Sequence, residues 1–348
     1  MLKIGNQDMT LQMKKLPFVA LLAACIAISA APTASKAAEK LRITIPVPAF
    51  SYYSIYAARD LGYFKDEGLD MEIIVTQGDG PDVDALIAGS VQFTATTPNR
   101  LLTTYQQGKP LLGILNMFNR VGINCFVNND SAAAAGIRAD TPLNEKLKKL
   151  KGLTIGVSRP GSFTYYLAAN YLKRAGYAPQ QDAKVIGVGG GPSMVGALEN
   201  KKIDVGCLAS PTPELAVTRG KASMLVNNTL GEDKELNEFL FAVLYVRPDY
   251  AKEHPETVGK VVHALKRAMS YIVATPFEQQ HKLLTATFGD MDETALRNAL
   301  VDNQAAINPS GEITESAYKG AVEFLVSSGA VTEPSPYAAV IDKTFWSK

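Results

Sequence analysis

The chain repeats its own sequence pattern at a spacing of about 112 residues. Leu41–Ile45 is followed by a proline and then by paired tyrosines, and Leu153–Val157 is followed by a proline, a threonine and a tyrosine at the same offsets. Other matched pairs are Gly80-Pro81 with Gly191-Pro192, Ala85-Leu86 with Ala197-Leu198, and Gly108-Lys109 with Gly220-Lys221. Solenoid repeats run at roughly 20 to 50 residues, so this longer period predicts two copies of one α/β unit.

Each copy alternates short apolar runs with segments of helical spacing. The predicted strands are 41–47, 71–77, 91–96 and 111–116 in the first copy, and 153–157, 184–188, 203–209 and 222–226 in the second. The predicted helices are 54–64, 82–88 and 99–107 in the first copy, and 165–175, 192–200 and 212–219 in the second. This alternation is typical of mainly parallel sheets with helices on both faces.

Two extended stretches, 121–128 and 241–246, flank the second copy, and we interpret them as hinge strands that cross between two lobes. The pattern after residue 246 is mostly helical, with predicted helices at 255–273, 278–286, 293–303 and 315–327, and is predicted to complete the first lobe. The expected division is therefore 41–123 with 246–348 in lobe 1, and 124–245 in lobe 2. Two such lobes enclose a cleft, which is where a ligand is expected.

The N-terminus has the pattern of a secretory signal peptide over residues 1–37. Two lysines after Met13 precede an apolar run from residue 16 to residue 31 and a stretch of small residues. Translation could begin at Met1 or at Met13. A lipobox-like segment ending at Cys25 leaves a lipid-anchored protein as the alternative to cleavage near Ala37.

Composition excludes several classes of function. Removing residues 1–37 takes four lysines and one aspartate from 35 basic and 34 acidic residues, so the mature chain is near neutral and nucleic-acid binding is not expected. The three histidines stand singly, and no metal site or cofactor is predicted. Cys125 and Cys207 lie in apolar stretches in different parts of the repeat, so we expect buried thiols and no disulfide.

The segment Tyr56–Asp70, followed by the strand that begins at Met71, resembles the signature of periplasmic solute-binding proteins for nitrate, sulfonate and taurine. It also resembles their relatives in thiamin-precursor uptake and synthesis, and residues 85–93 resemble the next element of that family. The resemblance implies a type II periplasmic-binding-protein fold and a monomer that closes by hinge motion. It also implies a small-molecule ligand, a periplasmic location, and a permease and an ATPase of an ABC importer as partners. Within the signature, Tyr63 and Phe64 are expected to pack against the core.

The second copy supplies a polar side to the predicted cleft. Ligands of parallel sheets bind beyond the carboxyl ends of the strands, where small residues and helix N-termini let backbone N–H groups approach. Arg159 could hold a carboxylate or a sulfonate with two hydrogen bonds; the alternative is a solvated arginine that packs over Pro160. The hydroxyls could donate to the same anion or could only cap a helix. The candidate residues are Ser158, Arg159, Gly161, Ser162, Thr164, Gly190, Gly191, Ser210 and Thr212.

The first copy supplies aromatic residues at the corresponding edge. Rings in a loop can stack on a flat or apolar ligand, and each ring could equally belong to the core. Asp79 could accept an amino group of a ligand or cap the helix that follows it. The candidate residues are Phe50, Ser51, Tyr52, Tyr53, Gln77, Gly78, Asp79, Thr97 and Asn99.

These features together predict an extracytoplasmic, non-enzymatic binding component that captures a small organic anion, either a sulfonate or a carboxylate, with an aromatic body as one possibility. Two alternatives stay open: a protein that binds or makes the thiamin pyrimidine precursor, and a ligand-sensing module for a membrane receptor. The synthase relatives use a cysteine-rich motif with a histidine and a lysine. This chain has two mature cysteines and no histidine before residue 254, which argues against that chemistry.

Overall fold

The structure is a computed structural model that describes residues 2, 5, 37–76, 78, 80–289 and 291–347. The predicted signal peptide and Cys25 therefore lie outside the described residues, apart from Leu2, Gly5 and Ala37. Residues 38–348 form one compact unit that contains two five-stranded sheets. We call the parts built on the first and second sheet the first lobe and the second lobe.

The described residues include ten strands. Their bounds are β1 Glu39–Ile45, β2 Leu69–Val75, β3 Phe93–Thr96, β4 Leu112–Arg120, β5 Ile123–Asn128, β6 Thr154–Val157, β7 Lys184–Gly187, β8 Val205–Ala209, β9 Ala222–Val226 and β10 Asn237–Val246.

Fifteen α-helices connect and cover these strands in the described part of the chain. Those of the two repeated units and their connections are α1 Tyr53–Asp60, α2 Tyr63–Asp66, α3 Pro81–Ile87, α4 Asn99–Gln106, α5 Asn129–Ala135, α6 Leu143–Lys148, α7 Phe163–Arg174, α8 Gly191–Glu199 and α9 Thr212–Thr218. The remaining six are α10 Pro248–Glu253, α11 Pro255–Ala274, α12 Phe277–Phe288, α13 Glu293–Gln304, α14 Glu315–Ser328 and α15 Tyr337–Val340.

The two sheets have the same strand order and the same register. The first is β2-β1-β3-β10-β4 and the second is β7-β6-β8-β5-β9. Ile43 pairs with Phe93 in the first sheet and Ile155 pairs with Val205 in the second, so both partners are displaced by about 112 residues. The pairing of β1 with β2 recurs in the same way between β6 and β7. The predicted duplication is confirmed at the level of strand pairing, and so is the α/β fold class.

One antiparallel strand in each sheet comes from a crossing of the chain. β5 lies between β8 and β9, and β10 lies between β3 and β4. The sequence placed residues up to 245 in the second lobe, but β10 pairs with strands of the first sheet from Asn237 onward. The return crossing therefore lies before Asn237, earlier than predicted. Its apolar run is buried on both faces, and such a pattern does not specify which sheet a strand joins.

The prediction that Cys125 and Cys207 stay unpaired is wrong. They face each other in the antiparallel register of β5 and β8, with Cα atoms 4.1 Å apart, and form a disulfide. The expectation failed because β5 is outside the repeated unit, so the repeat gives no information about its neighbours in the sheet. The disulfide fixes the incoming crossing strand to the strand that leads to Ser210.

The helices after β10 pack largely on the first lobe. α11, whose apolar face is fully buried, packs against α1 and α2. The short signature helix α2 places Phe64 in the core with 1% of its surface exposed, and the Arg267 guanidinium lies 4.2 Å from the centre of the Tyr63 ring. α13 and α14 also reach α9 and α7 of the second lobe. The final third therefore completes the first lobe and contacts the second.

Candidate ligand-binding site

The loops at the carboxyl ends of the two sheets meet each other. The Phe50 N–H, after β1, donates a hydrogen bond of 3.1 Å to the Ser210 carbonyl, after β8. A backbone bond of this length requires the two rims to be in direct contact. The residues around it define the candidate site between the lobes.

Three hydroxyls of the second lobe form one cluster at the end of β6. Ser162 Oγ lies 3.0 Å from Ser158 Oγ and 2.8 Å from Thr164 Oγ1. Ser162 is the N-cap of α7 and accepts the Tyr165 N–H at 3.3 Å, while Thr164 Oγ1 accepts the Ser158 N–H. Ser162 and Thr164 are almost fully buried. The structure thus brings the predicted hydroxyls together at the start of α7, where Ser162 caps the helix.

The other predicted small residues of the second lobe lie at two neighbouring turns. Gly161 has a φ of +73°, a backbone conformation that favours glycine. Gly190 precedes α8 as its N-cap. A Cβ atom at Gly191 would lie 2.9 Å from Thr212 Oγ1, so the start of α8 lies directly against the start of α9. These turns form a compact, polar edge.

Arg159 reaches across the cleft. A Cβ atom built on Gly78 would lie 2.7 Å from its Nη1 and 2.8 Å from its Cζ, so the guanidinium rests on the turn that follows β2 in the first lobe. The Arg159 carbonyl accepts a 2.7 Å hydrogen bond from Ser162 Oγ, which fixes the start of the side chain. In the structure the guanidinium therefore contacts the turn at Gly78, whereas the alternative had it extending into solvent over Pro160.

Glu214, which the sequence analysis missed, lies in the first turn of α9 and is 3% exposed. Ser210 Oγ donates to its Oε1 at 2.8 Å, and its Oε2 has no hydrogen-bond partner among the described residues. Burial raises the pKa of this carboxyl to about 7, helped by Asp302 of α13; the Ser210 hydrogen bond and the nearby Asn124 amide oppose the rise. A carboxyl with this pKa can accept or donate a hydrogen bond near neutral pH. Its only sequence signal was position, four residues after Ser210.

The aromatic residues of the first lobe are packed inside the structure. Phe50, Tyr52 and Tyr53 are 1%, 3% and 0% exposed, and Ser51 is buried with them. The Phe50 ring stacks on Phe288 with centroids 4.6 Å apart. Burial raises the pKa of Tyr53 well above its usual range. In this arrangement the rings contribute to the hydrophobic core.

Two further predicted residues meet at the end of β3, where Thr97 Oγ1 donates to Asn99 Oδ1 at 2.6 Å. The Thr97 carbonyl accepts the Tyr245 hydroxyl at 2.9 Å, which ties this loop to β10. Gln77 and Asp79 are outside the described residues.

A cavity of about 310 Å³ opens between the lobes beside the Phe50–Phe288 stack. Its walls are partly apolar and carry one basic and one acidic side chain. The lining residues are Leu215, Thr218 and Arg219 of α9 and Phe288, Met291 and Asp292 of the first lobe. A space of this size is at the lower end of the range for small-molecule sites.

Among the described residues, no group of three or more His, Cys, Asp or Glu side chains is arranged to hold a metal ion. Within the same residues, no helix has the length and apolar character needed to cross a membrane.

The strand order and the rim-to-rim cleft define the periplasmic-binding-protein fold. Two solved structures share it: the periplasmic nitrate-binding protein NrtA from Synechocystis PCC 6803 and the periplasmic aliphatic sulphonate binding protein SsuA from Escherichia coli. The first is 16% identical with a TM-score of 0.69, covering 88% of this chain and 87% of that one. The second is 15% identical with a TM-score of 0.68, covering 89% and 99%. These likenesses show the fold.

The chain belongs to the NMT1/THI5-like family, whose model matches residues 49–279. A curated relative, the 4-amino-5-hydroxymethyl-2-methylpyrimidine phosphate synthase of Candida albicans, is 27% identical over 237 residues. That match covers 64% of this chain and spans 64% of the length of the synthase.

Proposed function

We propose that this protein is the extracytoplasmic binding component of an ABC importer and captures a small organic anion, a carboxylate or a sulfonate, between its lobes. The observation that supports this most directly is the Arg159 guanidinium, which extends from the second lobe onto Gly78 of the first. A cation at the meeting point of two lobes attracts an anion and is desolvated as they close, which strengthens the pairing.

The buried disulfide supports an extracytoplasmic location, because disulfides persist in oxidising compartments and are rare in the cytosol. The predicted signal peptide points to the same compartment. The named neighbours NrtA and SsuA bind nitrate and sulfonates in the periplasm, which favours an anionic ligand and a transporter with a permease and an ATPase as partners.

Binding without catalysis is favoured by the state of the two cysteines. A thiol acts as a nucleophile or a ligand only when it is free and ionised, and Cys125 and Cys207 are joined and buried. His254 lies between α10 and α11, His263 lies in α11 with its Nδ1 2.7 Å from Glu67 Oε1, and His281 lies in α12. We therefore assign no catalytic residue and no cofactor.

Closure is proposed to proceed by hinge motion at the crossings that lead into β5 and β10. A ligand bound to one rim draws the other rim toward it, because it makes contacts in the closed state that the open state lacks. The Phe50–Ser210 hydrogen bond would form in the same step. A monomer is sufficient for this mechanism.

A second ligand class is favoured by Glu214 and by the name of the Candida relative. A buried carboxyl with a pKa of about 7 and an available oxygen can pair with the ring nitrogen and amino group of an aminopyrimidine. A pyrimidine related to the thiamin precursor is therefore the alternative ligand.

The test begins with native mass spectrometry of protein purified from its own periplasm, followed by thermal-shift screening of sulfonates, aromatic carboxylates and pyrimidines. A ligand that binds the folded state raises the melting temperature. Small-angle scattering at saturating ligand should show compaction relative to the free protein.

Two variants locate the site. Arg159→Gln should weaken an anionic ligand at least about tenfold, a change of about 1.4 kcal/mol in binding free energy. Arg138→Gln removes the same charge from an exposed position of the second lobe and should leave the affinity unchanged. Equal affinity in wild type and Arg159→Gln would show that the anion binds elsewhere, and a pyrimidine ligand would instead be weakened by Glu214→Leu.

A further inference from the structure

A buried carboxyl lies next to the contact between the two rims. The Ser210 hydroxyl donates to Glu214 Oε1 at 2.8 Å, and the Ser210 carbonyl accepts the Phe50 N–H of the first lobe at 3.1 Å. Glu214 itself is 3% exposed. One residue therefore both holds the Glu214 carboxyl and makes a backbone contact that joins the lobes.

α9, the helix that carries Glu214, packs against a helix of the first lobe, α13. The carbonyl of Ala306, just after α13, accepts the Asn119 N–H of β4 at 2.9 Å, which fixes this helix to the first sheet. Asp302 of α13 accepts a hydrogen bond of 2.7 Å from the side-chain amide of Asn227, which follows β9 of the second lobe. This bond crosses between the lobes, and the charge of Asp302 acts on Glu214.

Three polar side chains connect the two carboxyls. The Asn124 amide lies beside Glu214 and donates to Thr229 Oγ1 at 3.2 Å. Thr229 Oγ1 donates to Asn227 Oδ1 at 2.7 Å, and Asn227 donates to Asp302. Asn124 and Thr229 are fully buried. A hydrogen-bonded path therefore runs from the surroundings of Glu214 to the contact between the lobes.

The closed arrangement favours the neutral form of Glu214. Within the described part of the chain, α9 packs against α8, α13, β5, β8 and β9, and the three strands carry only uncharged side chains. Burial, and then the negative charge of Asp302, raise the pKa of Glu214. The other charged residues of α8 and α13 form ion pairs: Glu199 with Arg219, and Glu293 with Arg297.

Opening of the cleft moves α13 and the Phe50 rim away from α9 and lets water reach the Glu214 carboxyl, whose pKa then returns toward its ordinary value. Resting on the proposed function of this cleft, we propose that closure of the lobes takes up a proton from solution at the Glu214–Asp302 pair, so that ligand binding weakens as pH rises. Between about pH 4.5 and pH 7 the closed state holds a proton on Glu214 that the open state has released. Each pH unit in this window therefore weakens binding by up to about tenfold.

The first test is isothermal titration calorimetry of the full mature protein with benzenesulfonate at pH 5.5 and pH 8. This probe is a monoanion at both pH values, so a change in affinity belongs to the protein. Wild type should bind it at least about tenfold more weakly at pH 8. At pH 6, titrations in two buffers with different enthalpies of ionisation should show uptake of about one proton per bound probe.

Two variants separate the proton on Glu214 from a general effect of pH. Glu214→Gln keeps the shape of the neutral carboxyl and should bind benzenesulfonate equally at both pH values. Glu145→Gln removes an exposed carboxylate from the same lobe and should keep the wild-type fall in affinity.

Small-angle scattering of the ligand-free protein tests the same coupling without a probe. Wild type should be more compact at pH 5.5 than at pH 8, and Glu214→Gln should be equally compact at both. Asp302→Asn should reduce the wild-type difference, because it removes the charge that raises the pKa of Glu214.

The inference is overturned if wild type binds benzenesulfonate equally at the two pH values, or if Glu214→Gln retains the fall in affinity. If benzenesulfonate does not bind, a radius of gyration that does not change with pH overturns it. In each case the proposed function stands as long as Arg159→Gln weakens an anion. Equal anion affinity in wild type and Arg159→Gln would instead contradict the proposed site, and scattering alone would then decide the proton uptake.

Discussion

The two lobes share a strand order and a register, yet corresponding positions at their rims carry side chains with different environments. Phe50 and Ser162 are separated by about 112 residues and both follow the first strand of their sheet. Phe50 is buried and stacks on Phe288, whereas Ser162 caps α7 and bonds to neighbouring hydroxyls. The duplication thus preserves the backbone arrangement, while the side chains at corresponding rim positions are apolar and packed in the first lobe and polar in the second.

The same contrast recurs after the third strand of each unit. Leu102 of α4 and Glu214 of α9 correspond in the repeat, and both are almost fully buried. The leucine is part of the core of the first lobe. The glutamate places a buried ionisable group in the first turn of α9. At this position the second lobe therefore has a polar side chain where the first lobe has an apolar one.

The largest expected effect on stability comes from removing the buried Phe50 ring. Phe50→Ala should lower the free energy of unfolding by about 3 to 5 kcal/mol, because it removes a buried ring and leaves a cavity against Phe288. Urea denaturation followed by circular dichroism measures this. A loss below about 1 kcal/mol would mean that the ring is not part of the core, and a ligand role for Phe50 would regain support.

The next effect is a change in pH dependence. Between about pH 4.5 and pH 7 the folded state holds a proton on Glu214 that the unfolded state has released, so wild-type stability falls as pH rises. Glu214→Gln should not show this loss of stability. Between pH 4.5 and pH 8 the free energy of unfolding of the variant should therefore rise by on the order of 3 kcal/mol relative to that of wild type. Denaturation at both pH values measures it, with the exposed Glu253→Gln as control. Parallel pH profiles for wild type and Glu214→Gln would contradict the buried, protonated carboxyl.

A smaller effect on stability is expected from removing the disulfide, which is present in the second sheet and has no counterpart at the matching position of the first. Ala95 pairs with Leu244 where the second sheet has Cys207 with Cys125. Copying the first sheet by Cys125→Leu with Cys207→Ala should cost about 2 kcal/mol, near the lower end for removal of a disulfide because the introduced leucine restores apolar contact. Thermal unfolding without reductant measures the loss. Wild type in reductant serves as the comparison, and equal stability of variant and wild type would show that the bond adds nothing.

The smallest expected effect tests whether Ser162 only caps α7 or also contacts the anion. Ser162→Ala should destabilise the protein by about 1 kcal/mol through the lost N-cap of α7. Thr314→Ala removes a similar cap from α14 and should cost a similar amount. If Ser162 also contacts the ligand, only Ser162→Ala weakens binding. Equal affinities for the two variants would restrict Ser162 to capping.

Most regular elements were predictable because their patterns are local. The helices at 255–273, 293–303 and 315–327 end within about one residue of α11, α13 and α14, and the strand at 222–226 matches β9. α5 and α6 were missed; α5 is rich in alanine and has no apolar stripe, and α6 is short and charged. The site was predictable as a set of loops, since the carboxyl ends of parallel strands define where ligands bind.

The remaining features depend on contacts between distant segments. The disulfide follows from the insertion of β5 beside β8, and the place of β10 in the first sheet follows from pairing that its apolar run does not specify. Glu214 was missed because the burial of a side chain is a property of packing.

By itself the sequence determined the two α/β units and the succession of strands along the chain. It also determined the polar residues of the second rim and the candidate Arg159. Hydrophobic periodicity and residue type are local properties of the chain, which is why these features could be predicted. Only the tertiary structure decided that Arg159 crosses to Gly78 and that the Phe50 ring stacks on Phe288. The physical reason is that a side chain's burial, charge environment and partners are set by segments far away in sequence, whose relative positions exist only after the lobes have folded and met.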